Sequence, residues 1–345
     1  MTSPGHEATL RPRRSSWKVL VRVALAGVLL AVVFLKVDFR RFGKAFAGLK
    51  PWHIVGAYLF YVVSLVFKAF RWHRLAGAPS RATPLDCFSA TANGLLFGLL
   101  APGMYEFART YAFKLRARRP FAMVLGTVVA ERSLDAVLLL TMTFFVLVLV
   151  PGARWLSAAA AMLAALVAVG LGLLVLLVCT RRKSVPRLEE VLARMSPRLA
   201  RWAARFLNEF ADGLRHLGEL KLEGVLTVLG LSVLLWSSRA LYVLLVFRSL
   251  GLHAAFGLAL FIAAVENLGM LVKLTPAGLG QYQLIIVAVL VAFGIGQSIA
   301  AGASIVLHAV RLVVTFSLGL PFLYREHFGM SKLEHARARQ KESSP

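Results

Sequence analysis

The stretch from Phe121 to Val150, FAMVLGTVVAERSLDAVLLLTMTFFVLVLV, is apolar except for a short polar cluster near its middle. A transmembrane helix needs about 20 mostly apolar residues, and this stretch is longer than that. The whole chain has the same character: 59% of its 345 residues are hydrophobic, 16% are charged, and the mean hydropathy is +0.73. Because soluble domains are about 25% charged, the composition predicts an all-α, polytopic helical membrane protein and excludes soluble and disordered classes.

Several apolar segments are long enough to be full membrane spans. They begin near Trp17, Trp52, Phe121, Trp155, Leu222 and Ile299. Two further apolar segments, 85–115 and 256–296, are interrupted by residues that break helices. The interruptions lie at Pro102, Gly103, Pro276, Gly278 and Gly280. We expect each interrupted segment to form a re-entrant or broken helix hairpin, so the predicted fold has about six full spans plus two such hairpins.

Basic residues outside the apolar segments divide the chain into two membrane halves. The halves cover 17–180 and 222–323, with a basic amphipathic segment at 181–221, a disordered basic tail at 1–16 and a polar tail at 324–345. An even number of full spans places both termini and the central segment in the cytoplasm, where Lys and Arg accumulate. The stretch 36–50 is the exception, since it is basic yet assigned to the outside. Membrane orientation accounts for the net charge of +24, so no nucleic-acid partner is expected.

The central segment contains an amphipathic helix. Apolar residues recur at helical spacing from Leu199 to Leu217, while Arg198, Arg201 and Arg205 face elsewhere. Such a helix either lies on an anionic membrane surface or packs on its own domain as a linker.

The two interrupted segments show a weak internal repeat. Placing 92–108 over 266–282 puts Asn93 on Asn267 and Pro102 on Pro276. If the first hairpin opens to the cytoplasm and the second to the outside, the repeats are inverted, an arrangement that places a substrate site near the membrane midplane. A half-helix beginning after each Pro would present free N–H groups there to an anion such as a lipid phosphate. The alternative is that both segments are Pro-kinked packing helices.

Charged residues inside the apolar segments are the candidate functional residues. Each costs at least ~2.5–3.5 kcal/mol in the bilayer, so we expect them to face the protein interior. Glu131 and Asp135 share a helix face, and Arg132 is three residues from Asp135 and can pair with it. These groups either lock helices together through salt bridges or line a polar cavity that holds a lipid headgroup or relays protons. The same argument covers Glu266 and Lys273, and the candidate cavity residues are Arg71, Asn93, Glu106, Arg109, Glu131, Arg132, Asp135, Arg239, Asn267 and Arg311.

No motif for a cofactor, a metal or ATP hydrolysis stands out. The two cysteines, Cys87 and Cys179, and the eight histidines lack metal-ligand spacing. The nucleotide-binding, hydrolase and zinc-protease motifs are missing as well. We therefore expect a protein that is not an enzyme, and transport that is passive, ion-coupled or powered by another subunit.

A set of short motifs runs along the chain. It consists of Arg71-Trp72, Asn93 with Pro102, Glu106-x-x-Arg109, Glu131-Arg132-x-x-Asp135, the Phe206–Leu217 stretch and Pro276-x-Gly278-x-Gly280. With this set the chain resembles the lysylphosphatidylglycerol synthase transmembrane-domain family of flippase-like membrane proteins. It departs from the family pattern at Gly103-Met104-Tyr105, which is one residue short, and at Gln283, where the family usually has Glu. The resemblance implies a lipid-translocating domain in a bacterial or archaeal cytoplasmic membrane, and we expect no soluble aminoacyltransferase domain like that of the fused relatives.

The leading hypothesis is a flippase or scramblase whose partners are membrane lipids. It would move an anionic polar lipid, such as an amino-acylated phospholipid or a polyprenyl-phosphate-linked lipid, with Arg132, Arg239 and Arg311 neutralising the phosphate. The second hypothesis is a membrane scaffold that recruits a transferase, soluble or membrane-bound, through the amphipathic helix. The third is a membrane-embedded transferase acting on polyprenyl-linked lipids, with Glu131 or Asp135 as base.

Overall fold

The computed structural model describes residues 16–35, 37, 38, 40, 43, 47–77, 82–100, 103–149, 157–270 and 274–342. Within these ranges the regular structure is helical, without a strand, as the composition predicts. Pro102, Trp155, Lys273 and the amino-terminal tail up to residue 15 lie outside the described residues. The helices are α1 (Ser16–Phe34), α2 (Pro51–Leu75), α3 (Pro84–Phe97), α4 (Met104–Ala117), α5 (Phe121–Leu149), α6 (Ser157–Ala193), α7 (Pro197–Gly218), α8 (Leu222–Ser249), α9 (Phe256–Gly269), α10 (Gln281–Ala292) and α11 (Gln297–Glu342).

Among the described helices, four are long and apolar enough to cross a membrane. They are α2, the Ala164–Ala193 part of α6, α8 and the Gln297–Arg325 part of α11, which confirms four of the predicted spans. The two other predicted spans are helical too. The apolar part of α1, Leu20–Phe34, is shorter, and α5 has 29 residues but contains the charged cluster.

Both interrupted segments form pairs of short helices. In the first pair Gly103 separates α3 from α4, and in the second pair a 3₁₀ turn at Pro276–Gly278 lies between α9 and α10. The φ angles of Gly103 and Gly280 are +74° and +77°, a backbone conformation that residues with a Cβ rarely adopt. The two breaks touch each other, because the Ala277 N–H donates to the Leu99 carbonyl at 3.0 Å.

The bundle is organised around α2 and α8, which pack along each other. The ring of Tyr61 on α2 meets that of Tyr242 on α8 edge-on, with 5.0 Å between centroids. Tyr242 also donates to the Leu307 carbonyl of α11 at 3.0 Å. Around this pair, α3 packs against α11 and α9 packs against α5. Each short-helix pair therefore contacts a long helix of the other half, which brings residues of both halves to the centre.

The amphipathic helix α7 packs on α5 and α6. Its small side chains make the contact: Ala200 and Ala211 are buried. Gly213 lies so close to Gly126 of α5 that a Cβ on either glycine would meet a backbone carbonyl of the other helix. The structure thus shows α7 packed on its own domain, while Trp202, its bulkiest apolar side chain, remains 62% exposed.

Candidate functional site

Two carboxylates of α5 form the centre of a buried ion network. Glu131 pairs with Arg109 of α4 and, at 3.1 Å each, with Arg71 and Lys68 of α2. Asp135, one helical turn further along, pairs with Arg71 at 2.7 Å and with Lys68 at 3.4 Å. The side chains of Arg71, Arg109 and Glu131 are fully buried. Salt bridges thus hold three helices together, as one of the two sequence-based interpretations predicts.

Neighbouring side chains hold the two network arginines in place. The guanidinium carbon of Arg109 lies 4.0 Å from the centroid of the Trp72 ring, a cation–π geometry. The Trp72 indole N–H donates to Thr127 Oγ1 at 3.1 Å, which fixes that ring in turn. Arg71 donates to Ser232 Oγ of α8 at 3.2 Å, so the network is also attached to the second half of the chain.

Arg132 does not form the predicted pair with Asp135. Its guanidinium pairs with Glu106 of α4 at 2.8 Å and lies 5.1 Å from the centroid of the Tyr105 ring. The reason is helical geometry: adjacent residues are about 100° apart around an α-helix. When Glu131 and Asp135 face α2, Arg132 therefore points to another side of α5.

A smaller ion pair lies in the second half. Arg311 of α11 donates to Glu266 of α9 at 3.1 Å, and the Glu266 side chain is 1% exposed. The other carboxylate oxygen of Glu266 has no hydrogen-bond partner among the described residues. A charge that is buried to this degree and paired only once costs free energy. The pair forms a second polar centre, between α9 and α11.

Amide side chains hold the second break. Gln283 Oε1 accepts the Gly280 N–H at 2.8 Å, and its amide nitrogen lies 2.9 Å from His308 Nδ1. A Cβ on Gly280 would meet the Ala26 carbonyl of α1 at 2.7 Å, so this glycine lies directly against α1. The residue before α10 is therefore hydrogen-bonded to Gln283 and packed on α1. The convergence of two half-helix N-termini on one anion stays a prediction.

A polar cavity of about 60 Å³ lies between the two ion clusters. A buried water needs about 10–15 Å³ of such space, so the cavity has room for roughly four to six waters. Residues of both halves line it. The charged lining residues are Lys68, Glu106, Arg132, Arg239 and Arg311, with Gly103 and Asn267 beside them.

Arg239 of α8 differs from the other cations of this cavity. Lys68, Arg132 and Arg311 each pair with a carboxylate. Arg239 has no carboxylate partner among the described residues; its guanidinium carbon lies instead 5.2 Å from the ring centroid of Tyr61 and 5.9 Å from that of Trp236. Its Nε also has no hydrogen-bond partner there. This cation is therefore available to a ligand.

The charged groups in and around the cavity carry an excess of positive charge. In the described part of the chain, six cations face four carboxylates, an excess of two. The cations are Lys68, Arg71, Arg109, Arg132, Arg239 and Arg311, and the carboxylates are Glu106, Glu131, Asp135 and Glu266. Such an excess attracts an anion, because walls of low dielectric strengthen the field inside a cleft.

The structure brings nine of the ten predicted cavity residues together. The cavity lining and the adjacent network contain Arg71, Glu106, Arg109, Glu131, Arg132, Asp135, Arg239, Asn267 and Arg311. Asn93 is not part of the lining: it is 2% exposed on α3, and neither amide atom has a hydrogen-bond partner among the described residues. Lys68, which pairs with Glu131 and Asp135 and lines the cavity, was not among the predicted residues. Its position three residues before Arg71, on the same face of an apolar helix, is the signal that identifies it.

The family of the chain can be assigned by comparison with known proteins. A family model described as the lysylphosphatidylglycerol synthase TM region matches residues 19–319. The chain belongs to this family. The matched range contains the ion network, the cavity and both breaks. No curated protein and no solved structure matches the chain significantly.

Family membership confirms that this is a helical membrane protein of the lysylphosphatidylglycerol synthase-like type. In its Glu131-Arg132-x-x-Asp135 motif the two carboxylates pair with α2 and α4, whereas the arginine lines the cavity. Within the described ranges, no three His, Cys, Asp or Glu side chains are grouped as metal ligands.

Proposed function

We propose that this lysylphosphatidylglycerol synthase-like protein translocates an anionic polar lipid across the cytoplasmic membrane of a bacterium or archaeon, as a flippase or scramblase. The lipid is an amino-acylated phospholipid or a polyprenyl-phosphate-linked lipid, and both contain a phosphate. The observation that carries the proposal is Arg239, a cation without a carboxylate partner among the described residues, beside a polar cavity lined by both halves. The proposal assigns no catalytic residue, cofactor or ATPase. It places both termini in the cytoplasm.

The proposal includes an inverted repeat of α2–α5 and α8–α11. Two observations support it: both repeats have a long, a short, a short and a long helix in that order, and α3 packs on α11 as α9 packs on α5. Inverted repeats carry a central site that opens in turn to the two sides of the membrane. In this protein that site is the cavity.

Phosphate binding uses the cavity arginines in two ways. Arg239 makes charge-assisted hydrogen bonds to the phosphate without giving up a carboxylate partner. Arg132 and Glu106 form the most exposed ion pair of the cavity, with side chains 22% and 32% exposed. Replacing Glu106 by a phosphate on Arg132 therefore costs less free energy than breaking an ion pair of the fully buried network.

The test is a leaflet-exchange assay with the purified protein in liposomes that contain a fluorescent-headgroup anionic phospholipid. A membrane-impermeant reductant quenches the outer leaflet alone, so quenching beyond half of the signal reports exchange. We expect exchange by the wild type and a loss of about 10- to 150-fold in rate for Arg239→Gln, because a hydrogen bond to a charged group contributes ~1.5–3 kcal/mol.

The matched control is Arg248→Gln, at an exposed position near the end of the same helix. Its exchange rate should equal that of the wild type. Size-exclusion chromatography and circular dichroism should show that both variants are folded. Wild-type exchange rates in Arg239→Gln would refute the assigned role of Arg239, and quenching that stops at half with the wild type contradicts a scramblase.

A further inference from the structure

An apolar groove lies beside the polar cavity, between α5, α6 and α9. Its volume is about 490 Å³, within the range of roughly 300–1,000 Å³ that is typical of ligand pockets. Leu139 of α5, Leu171 and Leu174 of α6 and Leu268 of α9 form much of its wall. A space of this size and composition suits a hydrocarbon chain better than water or a polar solute.

The groove and the cavity adjoin each other. They share three lining residues, Glu106, Arg132 and Asn267. These polar residues lie where the groove meets the cavity, so the combined site is charged at one end and apolar at the other. A lipid molecule is likewise polar at one end and apolar at the other. Arg132 lies where the headgroup of such a lipid would join its tail.

Helix α6 leaves the groove accessible from the bilayer. None of the residues in the apolar window of Ala164–Ala193 is buried, and α6 contacts mainly α5 and α7. The ion pair of Arg181 with Asp212 attaches the carboxyl-terminal part of α6 to α7. A chain from the surrounding hydrocarbon can therefore reach the groove along the exposed 167–174 part of α6.

We propose that this groove binds one acyl or prenyl chain of the lipid whose headgroup occupies the cavity. The proposal rests on the proposed function for the identity of the headgroup. The occupant is a hydrocarbon chain of a membrane lipid, because the groove opens to the bilayer and adjoins the cavity. The lipid reaches the site sideways along the 167–174 part of α6, and its tail stays in apolar surroundings while its headgroup is in the cavity.

Two glycines of α6 provide a matched pair of variants. Gly170 lines the groove and Gly172 does not. A Cβ at either position would meet no atom within 4 Å, so neither glycine is required by close packing at its Cα. The two positions are about 200° apart around the helix, so Gly170→Phe fills the groove and Gly172→Phe points away from it.

The experiment measures photolabelling of the detergent-solubilised full-length chain by a trace phospholipid with a diazirine in its acyl chain. We expect labels on 167–174 and around Leu139, displaced by excess unlabelled phospholipid but not by more detergent. Gly170→Phe should reduce this labelling about 16-fold if it displaces two methylenes, since each methylene that loses its contact lowers affinity about fourfold. Gly172→Phe should leave it unchanged.

Two outcomes overturn the groove assignment: labels spread evenly around α6, or unchanged labelling in Gly170→Phe. Failure of the proposed function looks different, because the wild type would then show groove labelling without lipid exchange in liposomes. Where both hold, Gly170→Phe loses labelling and exchange together while Gly172→Phe keeps both.

Discussion

Neutralising Glu131 should destabilise the protein more than any other single carboxylate change in the described network. Glu131 pairs with three cations, Lys68, Arg71 and Arg109, and its side chain is fully buried. In Glu131→Gln, the amide has one acceptor oxygen and no charge. Asp135 still serves Lys68 and Arg71, but Arg109 loses its carboxylate partner.

The size of the effect follows from this uncompensated charge. Breaking a buried ion pair by removing one partner costs about 3–5 kcal/mol, because the remaining charge stays out of water. We therefore expect Glu131→Gln to lower the free energy of unfolding by about 3 kcal/mol.

The assay is equilibrium unfolding in mixed micelles of dodecyl maltoside and sodium dodecyl sulfate, followed by circular dichroism. The control is Glu190→Gln, at an exposed position on α6, which should change stability by less than about 0.5 kcal/mol. In a double variant, Arg109→Met removes the orphaned charge and should restore a part of the loss, so the two changes are non-additive. A loss below about 1 kcal/mol for Glu131→Gln would refute a dry, fully paired network.

Two smaller predictions concern packing and an exposed ion pair. Gly126→Ala should lower the free energy of unfolding by about 1–3 kcal/mol, because its Cβ would meet the Phe210 carbonyl of α7 and force two helices apart. The control is Gly230→Ala, at an open helical position. In the same unfolding assay it should be neutral or stabilising by up to about 1 kcal/mol. Arg116→Gln removes the half-exposed pair with Asp86 at 2.8 Å and should cost less than about 1 kcal/mol. That cost should shrink in high salt, and a salt-independent loss would contradict the exposure seen for this pair.

The sequence predicted those features that depend on a single segment of the chain. Apolar length predicts α2, α6, α8 and α11 as spans, since a helix in lipid must satisfy its backbone internally. The cost of a charge in lipid predicts that Glu131 and its neighbours are buried. Pro and Gly interrupt both short-helix pairs for local backbone reasons.

The choice of partners depended on tertiary structure. The sequence allows Arg132 to pair with Asp135, but the rotation of α5 in the bundle directs Arg132 to Glu106 and the cavity. The sequence does not say what lies beside the start of α10, whereas in the structure α1 packs on Gly280 and Gln283 accepts the Gly280 N–H. Lys68 joins the network because α2 lies beside α5, a contact that local spacing does not specify.

By itself the sequence determined that this is a helical membrane protein with two broken segments and buried charges, because hydrophobicity and backbone chemistry act over one helix at a time. Only the tertiary structure decided that Arg239 has no carboxylate partner among the described residues, and that the cavity shares lining residues with an apolar groove. Both features depend on the distances between helices that are far apart in the chain. Those distances are set by packing against several neighbours at once, which no local pattern encodes.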